Sequence, residues 1–190
     1  IHSLHHYLTN LSESEEHYRS GYPFSGWSQL PKVQIHGREM YRMFPDNLIF
    51  SSMHGENPVS SQNFDIPVGL QDISIKRNSR FNPVPEHVHS HIEINYVYSG
   101  TCPQYIDGKP VLLKKDQVLL IDTDCPHSID ALGENDIMIS MLIRKEFLRD
   151  RMFSQFSKDS VLSRFFVNAL TEQTDHDHYL LFHSEKDRRI

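Results

Sequence analysis

Apolar positions recur along this chain with two different periods, and the period changes twice. At the N-terminus Leu4, Tyr7, Leu8 and Leu11 stand at i, i+3, i+4 and i+7, the stripe of an amphipathic helix. Ser12 followed three residues later by Glu15 is a capping-box signature for a second short helix, which Gly21 can end. The run GYPFSGWSQLP is punctuated by Pro and Gly and reads as a loop, with Trp27 as a packing anchor. From residue 33 short apolar runs separated by turn residues take over: VQIH, EMYRMF, NLIFSSM, VGLQDISIKR, VHSHIEINYVYSG, PQYI, PVLL, QVLLI and DIMISMLI. That spacing predicts an all-β sandwich or barrel. Asp107-Gly108 marks a two-residue hairpin, because a type I′ turn needs positive φ at both central residues, and KKDQ marks a second turn.

From residue 144 the helical period returns. Leu162, Phe165, Phe166, Ala169 and Leu170 form one stripe, with Asp159 or Ser160 as N-cap. Phe147, Leu148, Met152 and Phe156 follow it less regularly, and HYLLFH closes as a strand. The chain therefore divides into an N-terminal helical and loop segment (1–32), a β domain (33–143) and C-terminal helices with a closing strand (144–190). The wide apolar stripe suits either intramolecular packing or a dimer interface.

Within the β domain, PEHVHSHIEINYVYSG places His87, His89, His91, Glu93 and Asn95 at every second position. In one extended strand these share a face, and Val88, Ile92, Ile94, Tyr96 and Tyr98 share the other. If the polar face looks inward it needs a partner, because buried imidazoles and carboxylates are costly unless hydrogen-bonded or metal-bound. The alternative is a half-buried strand whose polar face meets water.

Composition narrows the classes. Nineteen basic against twenty-five acidic residues give a net charge of −6, with no basic stripe. Such a surface repels a phosphate backbone, so DNA contact is not expected from this chain. No run approaches eighteen apolar residues and the first residues lack a signal-peptide pattern, which predicts a cytoplasmic protein without a membrane span. Cys102 and Cys125 read as reduced thiols. No Ser/His/Asp set, phosphate loop or Cys-x-x-Cys pair stands out.

Two imidazoles and a carboxylate from His87-x-His89-x3-Glu93 suit a divalent transition metal such as zinc, iron, manganese, nickel or copper. A further imidazole must come from elsewhere. His127 in IDTDCPHSID is returned beside the first strand by two antiparallel reversals. His91 is additional to the four and reads as a pocket-mouth residue, or a solvent-facing one if the strand bends; Asn95 suits either a hydrogen bond to a bound hydroxyl or an ordinary cross-strand contact. His176 and His178 in DHDH read as a solvated turn, and His2, His5 and His6 as water-facing.

These residues carry a resemblance. HxH-x3-E-x6-G followed by PH is similar to the two motifs of the cupin superfamily, double-stranded β-helices, or jelly rolls, that enclose a pocket. The resemblance puts His87, His89, Glu93 and His127 at the four metal-ligand positions. Five scaffold positions depart from it: Phe81, Asp116 and Asp124 stand where glycines are usual, Asp122 where proline is, and Ala131 where the closing asparagine is. The run HVHSHIEINYVYSGTCPQYIDGKPVLLKKDQVLLIDTDCPHSI further resembles the N-terminal sensor domain of AraC/XylS-family transcriptional regulators, over roughly residues 66–184. It implies a mainly β, cupin-like domain with flanking helices that senses a small molecule, a saccharide being the class implied, and dimerises. It implies no catalysis, and a helix-turn-helix unit for DNA that this chain lacks. The effector pocket would be lined by His87, His89, His91, Glu93, Asn95 and His127. The rival reading is a metal-dependent cupin enzyme of dioxygenase or sugar isomerase type.

Overall fold

The computed structural model describes residues 4–43, 72–152, 160–171 and 177–182. NLIFSSM, Phe156, Asp159, His2 and His176 lie outside the described residues. In chain order the elements are α1 (Leu4–Thr9), α2 (Glu13–Arg19), a 3-10 turn (Gly26–Gln29), β1 (Lys32–Ile35), β2 (Arg38–Arg42), β3 (Ile73–Arg77), β4 (Val84–Val88) and β5 (His91–Ser99). They continue with β6 (Thr101–Ile106), β7 (Lys109–Lys114), β8 (Val118–Ile121), β9 (His127–Ile129) and β10 (Ile137–Arg144). A short helical turn α3 (Lys145–Phe147), a π-helical turn (Leu148–Met152), α4 (Val161–Thr171) and β11 (Tyr179–Phe182) complete it.

The strands form two sheets, ordered β1-β2-β4-β9-β6-β7 and β11-β8-β5-β10-β3: the sandwich that the run spacing predicts, in the jelly-roll form that the cupin resemblance implies. All pairings are antiparallel except β2 with β4. Between the sheets the inward residues of both meet in one apolar core, with Val97, Leu119, Ile121 and Met138 facing Cys102, Ile106, Leu113 and Ile129. The β6–β7 hairpin turns at Asp107 and Gly108, both at positive φ (47° and 76°), as the type I′ reading requires. Both cysteines are free thiols in the interior, and burial pushes each up to about 12, so neither is a reactive thiolate.

The outer face of the five-stranded sheet is the second core. Ile92, Leu120 and Ile143 pack under Phe165, Phe166 and Ala169 of α4, and Leu148 joins them. The stripe is thus occupied within the chain. Ser160 caps α4, its Oγ accepting from the Ser163 amide at 3.0 Å.

One expectation is corrected. Residues 88–100 do not form a single strand: pairing stops after Val88 and resumes at His91 in the opposite sheet. At the crossing the His89 carbonyl accepts from the Asp124 amide at 2.8 Å, outside either ladder. The strand β9 that carries His127 was not foreseen either, since three residues are too short to show a period.

The N-terminal segment is held by ions. Ser12 and Glu15 make the reciprocal capping box, and Glu15, fully buried, also accepts from Arg80 Nε (2.9 Å) and Arg77 Nη2 (2.8 Å). The same two guanidinium groups donate to the Tyr7, Leu8, Thr9 and Asn10 carbonyls, the orphan acceptors at the end of α1. Burial, the largest single influence, would raise the Glu15 carboxyl, but the hydrogen bonds from the Arg80 side chain and from the Ser12 and Arg80 amides, with the Arg77 charge, together outweigh it and hold the group below the usual 4.5. A carboxylate so depressed contributes fully above its unfolded value and loses that contribution as pH falls below it. Glu15→Ala is therefore expected to cost roughly 3–5 kcal/mol in urea unfolding, because Arg80 is left buried without its carboxylate. It should also flatten the wild-type loss of stability below about pH 4.5.

Candidate metal centre

Three local features bring four side chains together. His87 on β4 is the cross-strand partner of His127 on β9, so the six-stranded sheet supplies two imidazoles side by side. Their ring centroids are 4.1 Å apart. His89 stands at the crossing between sheets, and Glu93 is an inward residue of β5 in the five-stranded sheet. The candidate ligand atoms of all four lie within 4.8 Å of one another, and none of the four residues is more than 4% exposed.

The imidazole orientations are set by the backbone. Nδ1 of His87, His89 and His127 lies 2.9, 3.0 and 2.8 Å from the carbonyls of Pro85, His91 and Cys125. A carbonyl only accepts, so each Nδ1 carries the proton and donates it. In a neutral ring this leaves the Nε2 lone pair to the cluster. Burial lowers His89 and drives His87 well below the usual range, favouring the neutral form of both. Burial by itself raises Glu93; a proton or other cation on the facing nitrogens of His127 and His89 more than offsets it and holds the carboxyl well below its usual range. Glu93 Oε2 is 2.8 Å from His89 Nε2 and 3.2 Å from His127 Nε2.

Acceptors turned toward an ionised carboxylate need a cation among them. Three imidazole nitrogens and a carboxylate oxygen, converging and oriented by second-shell carbonyls, fit a divalent transition metal. A buried proton shared with one imidazole meets the need for that ring alone.

The other predicted residues go elsewhere. His91 is buried and not one of the four: its ring stands edge-on to His89, with centroids 6.4 Å apart, and lines a cleft with Ser90, Thr123, Asp124 and Arg144. Asn95 lies inward, in a buried amide chain: Asn78 Nδ2 donates to Ser140 Oγ, Ser140 donates to Asn95 Oδ1, and Asn95 Nδ2 approaches Gln104 at 3.5 Å. Gln104 in turn reaches the sulfurs of Met138 and Cys102. His178 stands 3.9 Å from Asp122, well away from the cluster in the chain. His5 is exposed as expected, yet its Nδ1 lies 2.8 Å from the Tyr98 hydroxyl. Lys76 was overlooked in the sequence; its charge contributes to lowering His89. The available signal was the alternation of β3, where Ser74 and Lys76 alternate with Ile73 and Ile75.

Residues 75–159, just under half of the chain, match the family model described as the AraC-like ligand binding domain. Among solved structures, the chain is similar to unsaturated fatty acid-bound ToxT from Vibrio cholerae, at 12% identity and a TM-score of 0.41, covering 60% of this chain and 41% of that one. It is similar to a cupin 2 conserved barrel domain protein from Leptotrichia buccalis at 25% identity and a TM-score of 0.34, covering 38% of this chain and 35% of that one. A conserved protein of unknown function from Streptococcus pyogenes gives 17% identity and a TM-score of 0.36, over 40% of this chain and 67% of that one. No curated protein matches the chain. Among the described residues, no helix is long and apolar enough to cross a membrane.

The amide chain yields a test of its own. Ser140→Ala removes the hydroxyl that joins two buried amides, so a loss of about 1–3 kcal/mol is expected in chemical denaturation. Metal uptake should be unchanged, because Ser140 touches none of the four candidate ligands.

Proposed function

With residues 75–159 forming an AraC-like, cupin-type ligand binding domain, we propose that this chain is the effector-sensing part of an AraC-type transcription regulator, built around a divalent metal held by His87, His89, Glu93 and His127. The observation that carries the metal is the convergence of three backbone-oriented Nε2 atoms on one buried carboxylate. A bound metal would supply Lewis acidity and a rigid link between the two sheets. The chain's own residues do the rest: the carbonyls of Pro85, His91 and Cys125 fix the tautomers, and the apolar packing around the site keeps water out.

In this reading the effector is a small molecule of the saccharide class, sensed in the cytoplasm by population shift. Binding favours one arrangement of the β domain and the helices of residues 144–190 that pack on it. Those helices also provide the homodimer contact, and DNA contact comes from a unit outside these 190 residues. The domain is regulatory and carries no catalysis of its own. A metal-dependent enzyme is the second reading, favoured by the same donor set.

Protein freed of metal and titrated with Zn²⁺, Ni²⁺, Mn²⁺ or Fe²⁺ should take up one equivalent of at least one of them. At a hundredfold excess over Kd the ion should add about 2.7 kcal/mol to unfolding. His87→Ala and Glu93→Gln should abolish both effects. A protein that takes up none of these ions overturns the metal assignment. Turnover that disappears together with the metal in His89→Ala would favour the enzyme over the sensor. Sedimentation of the chain at micromolar concentration checks the dimer.

A further inference from the structure

Outside the four-residue centre lies a cleft of about 290 Å³, lined by Ser90, His91, Thr123, Asp124, Arg144, Lys145 and Glu146. We propose that this cleft is a separate binding site for a small hydroxylated carboxylate, such as a sugar acid. The binding claim stands independently of the proposed function; only its regulatory consequence rests on that reading.

The chemistry of the walls selects the ligand. None of the seven lining residues is an aliphatic or phenyl side chain, so the walls favour a polar, charged ligand over a hydrocarbon chain. Arg144 and Lys145 bring two permanent positive charges, and Asp124 and Glu146 bring two negative ones. Asp124, however, is already met by Arg42 at 3.0 Å. Glu146 stands 3.8 Å from Arg144 Nε with its side chain more than half exposed, a long contact that an incoming carboxylate can displace at little cost. Counting Arg42, three positive charges oppose two negative ones, and the guanidinium fork of Arg144 matches a carboxylate in bidentate fashion. The hydroxyls of Ser90 and Thr123 and the two carboxylates supply donors and acceptors for the ligand's own hydroxyl groups. The volume is at the small end of ligand sites (~300–1,000 Å³), suited to a six-carbon acid and too small for a long chain.

The cleft's position supplies a consequence. On one side its residues hold His89: the His91 carbonyl accepts from His89 Nδ1 at 3.0 Å, and the Asp124 amide donates to the His89 carbonyl at 2.8 Å. On the other side Arg144 ends β10 and Lys145 begins α3, the start of the segment whose Leu148 is buried in the outer core beneath α4. A ligand seated between Ser90–His91 and Arg144–Glu146 touches both the holder of one candidate metal ligand and the exit toward the C-terminal helices. Its binding would therefore stiffen both at once.

The test is isothermal titration of the whole 190-residue chain at low ionic strength with sodium D-gluconate, sodium D-galacturonate and sodium D-glycerate, and with neutral D-glucose and D-galactose. At least one acid is expected to bind at least tenfold more tightly than either neutral sugar, and to weaken as salt rises. Arg144→Gln should lower that affinity tenfold or more and Lys145→Gln severalfold; both are surface changes whose folding is verified by circular dichroism. Lys114→Gln, which removes an exposed cation opposite Thr101, at the other end of β5 from the cleft, should leave acid binding within twofold. Equal binding of acids and neutral sugars, unchanged affinity in Arg144→Gln, or no binding of any of the three acids would overturn the proposal. Because the readout is binding to this chain alone, these outcomes are independent of whether the domain regulates transcription.

Discussion

A buried carboxylate surrounded by imidazole nitrogens whose outer protons are already given to the backbone is the constraint on which this molecule turns. Glu93 comes from one sheet and His87 and His127 from the other, so the electrostatic problem they pose is also a problem of how the sheets meet. Three carbonyls fix the rings, burial disfavours the imidazolium form of His87 and His89, and the converging acceptors are left needing a cation. The apolar core between the sheets keeps the arrangement dry, and dryness raises the strength of every charge interaction inside it.

Around this centre the flanking segments are built into the fold. Glu15 serves twice, as the capping-box residue of α2 and as the counter-ion of Arg77 and Arg80, so the first twenty residues share an ion cluster with the β3 edge of the sheet. At the other end α4 covers the outer face of that sheet with Phe165 and Phe166. The five-stranded sheet therefore faces the candidate metal centre on one side and the C-terminal helices on the other. Strand β5 contributes Glu93 inward and Ile92 outward, and a change at the site is one residue away from a change beneath α4.

The departures from the cupin pattern have a structural answer. Phe81, Asp116 and Asp124 stand where glycines are usual, and all three adopt positive φ, at 64°, 66° and 54°. Each donates its amide at 2.8 Å to a carbonyl of a distant segment: Leu132, Val97 and His89 respectively. The conformation that glycine would take freely is thus enforced by tertiary hydrogen bonds. Aspartate tolerates it well, whereas for phenylalanine it is a strained choice. The glycine of the first motif that is retained, Gly100, also has positive φ (71°), and there a Cβ would in addition meet the Asp136 carboxylate and the Asn135 carbonyl.

Much of this was legible in one dimension. The run spacing indicated a β sandwich, Asp107-Gly108 its hairpin, and Ser12 and Glu15 their capping box, because turn chemistry, caps and strand periodicity are local properties of neighbouring residues; the donor set of His87, His89, Glu93 and His127 was legible from residue type and motif spacing, although the single strand assumed for its first three members was not formed. What local pattern could not carry was decided by contacts far apart in the chain. The break at His89 depends on an amide thirty-five positions away, at Asp124. The seat of Asn95 depends on Ser140 and Asn78, and the place of His91 beside His89 rather than in the donor set depends on the crossing between sheets. The roles of Arg77 and Arg80 appear only once the first helices return to the sheet. Alternation tells which residues share a face, and only the meeting of two sheets determines what that face looks at.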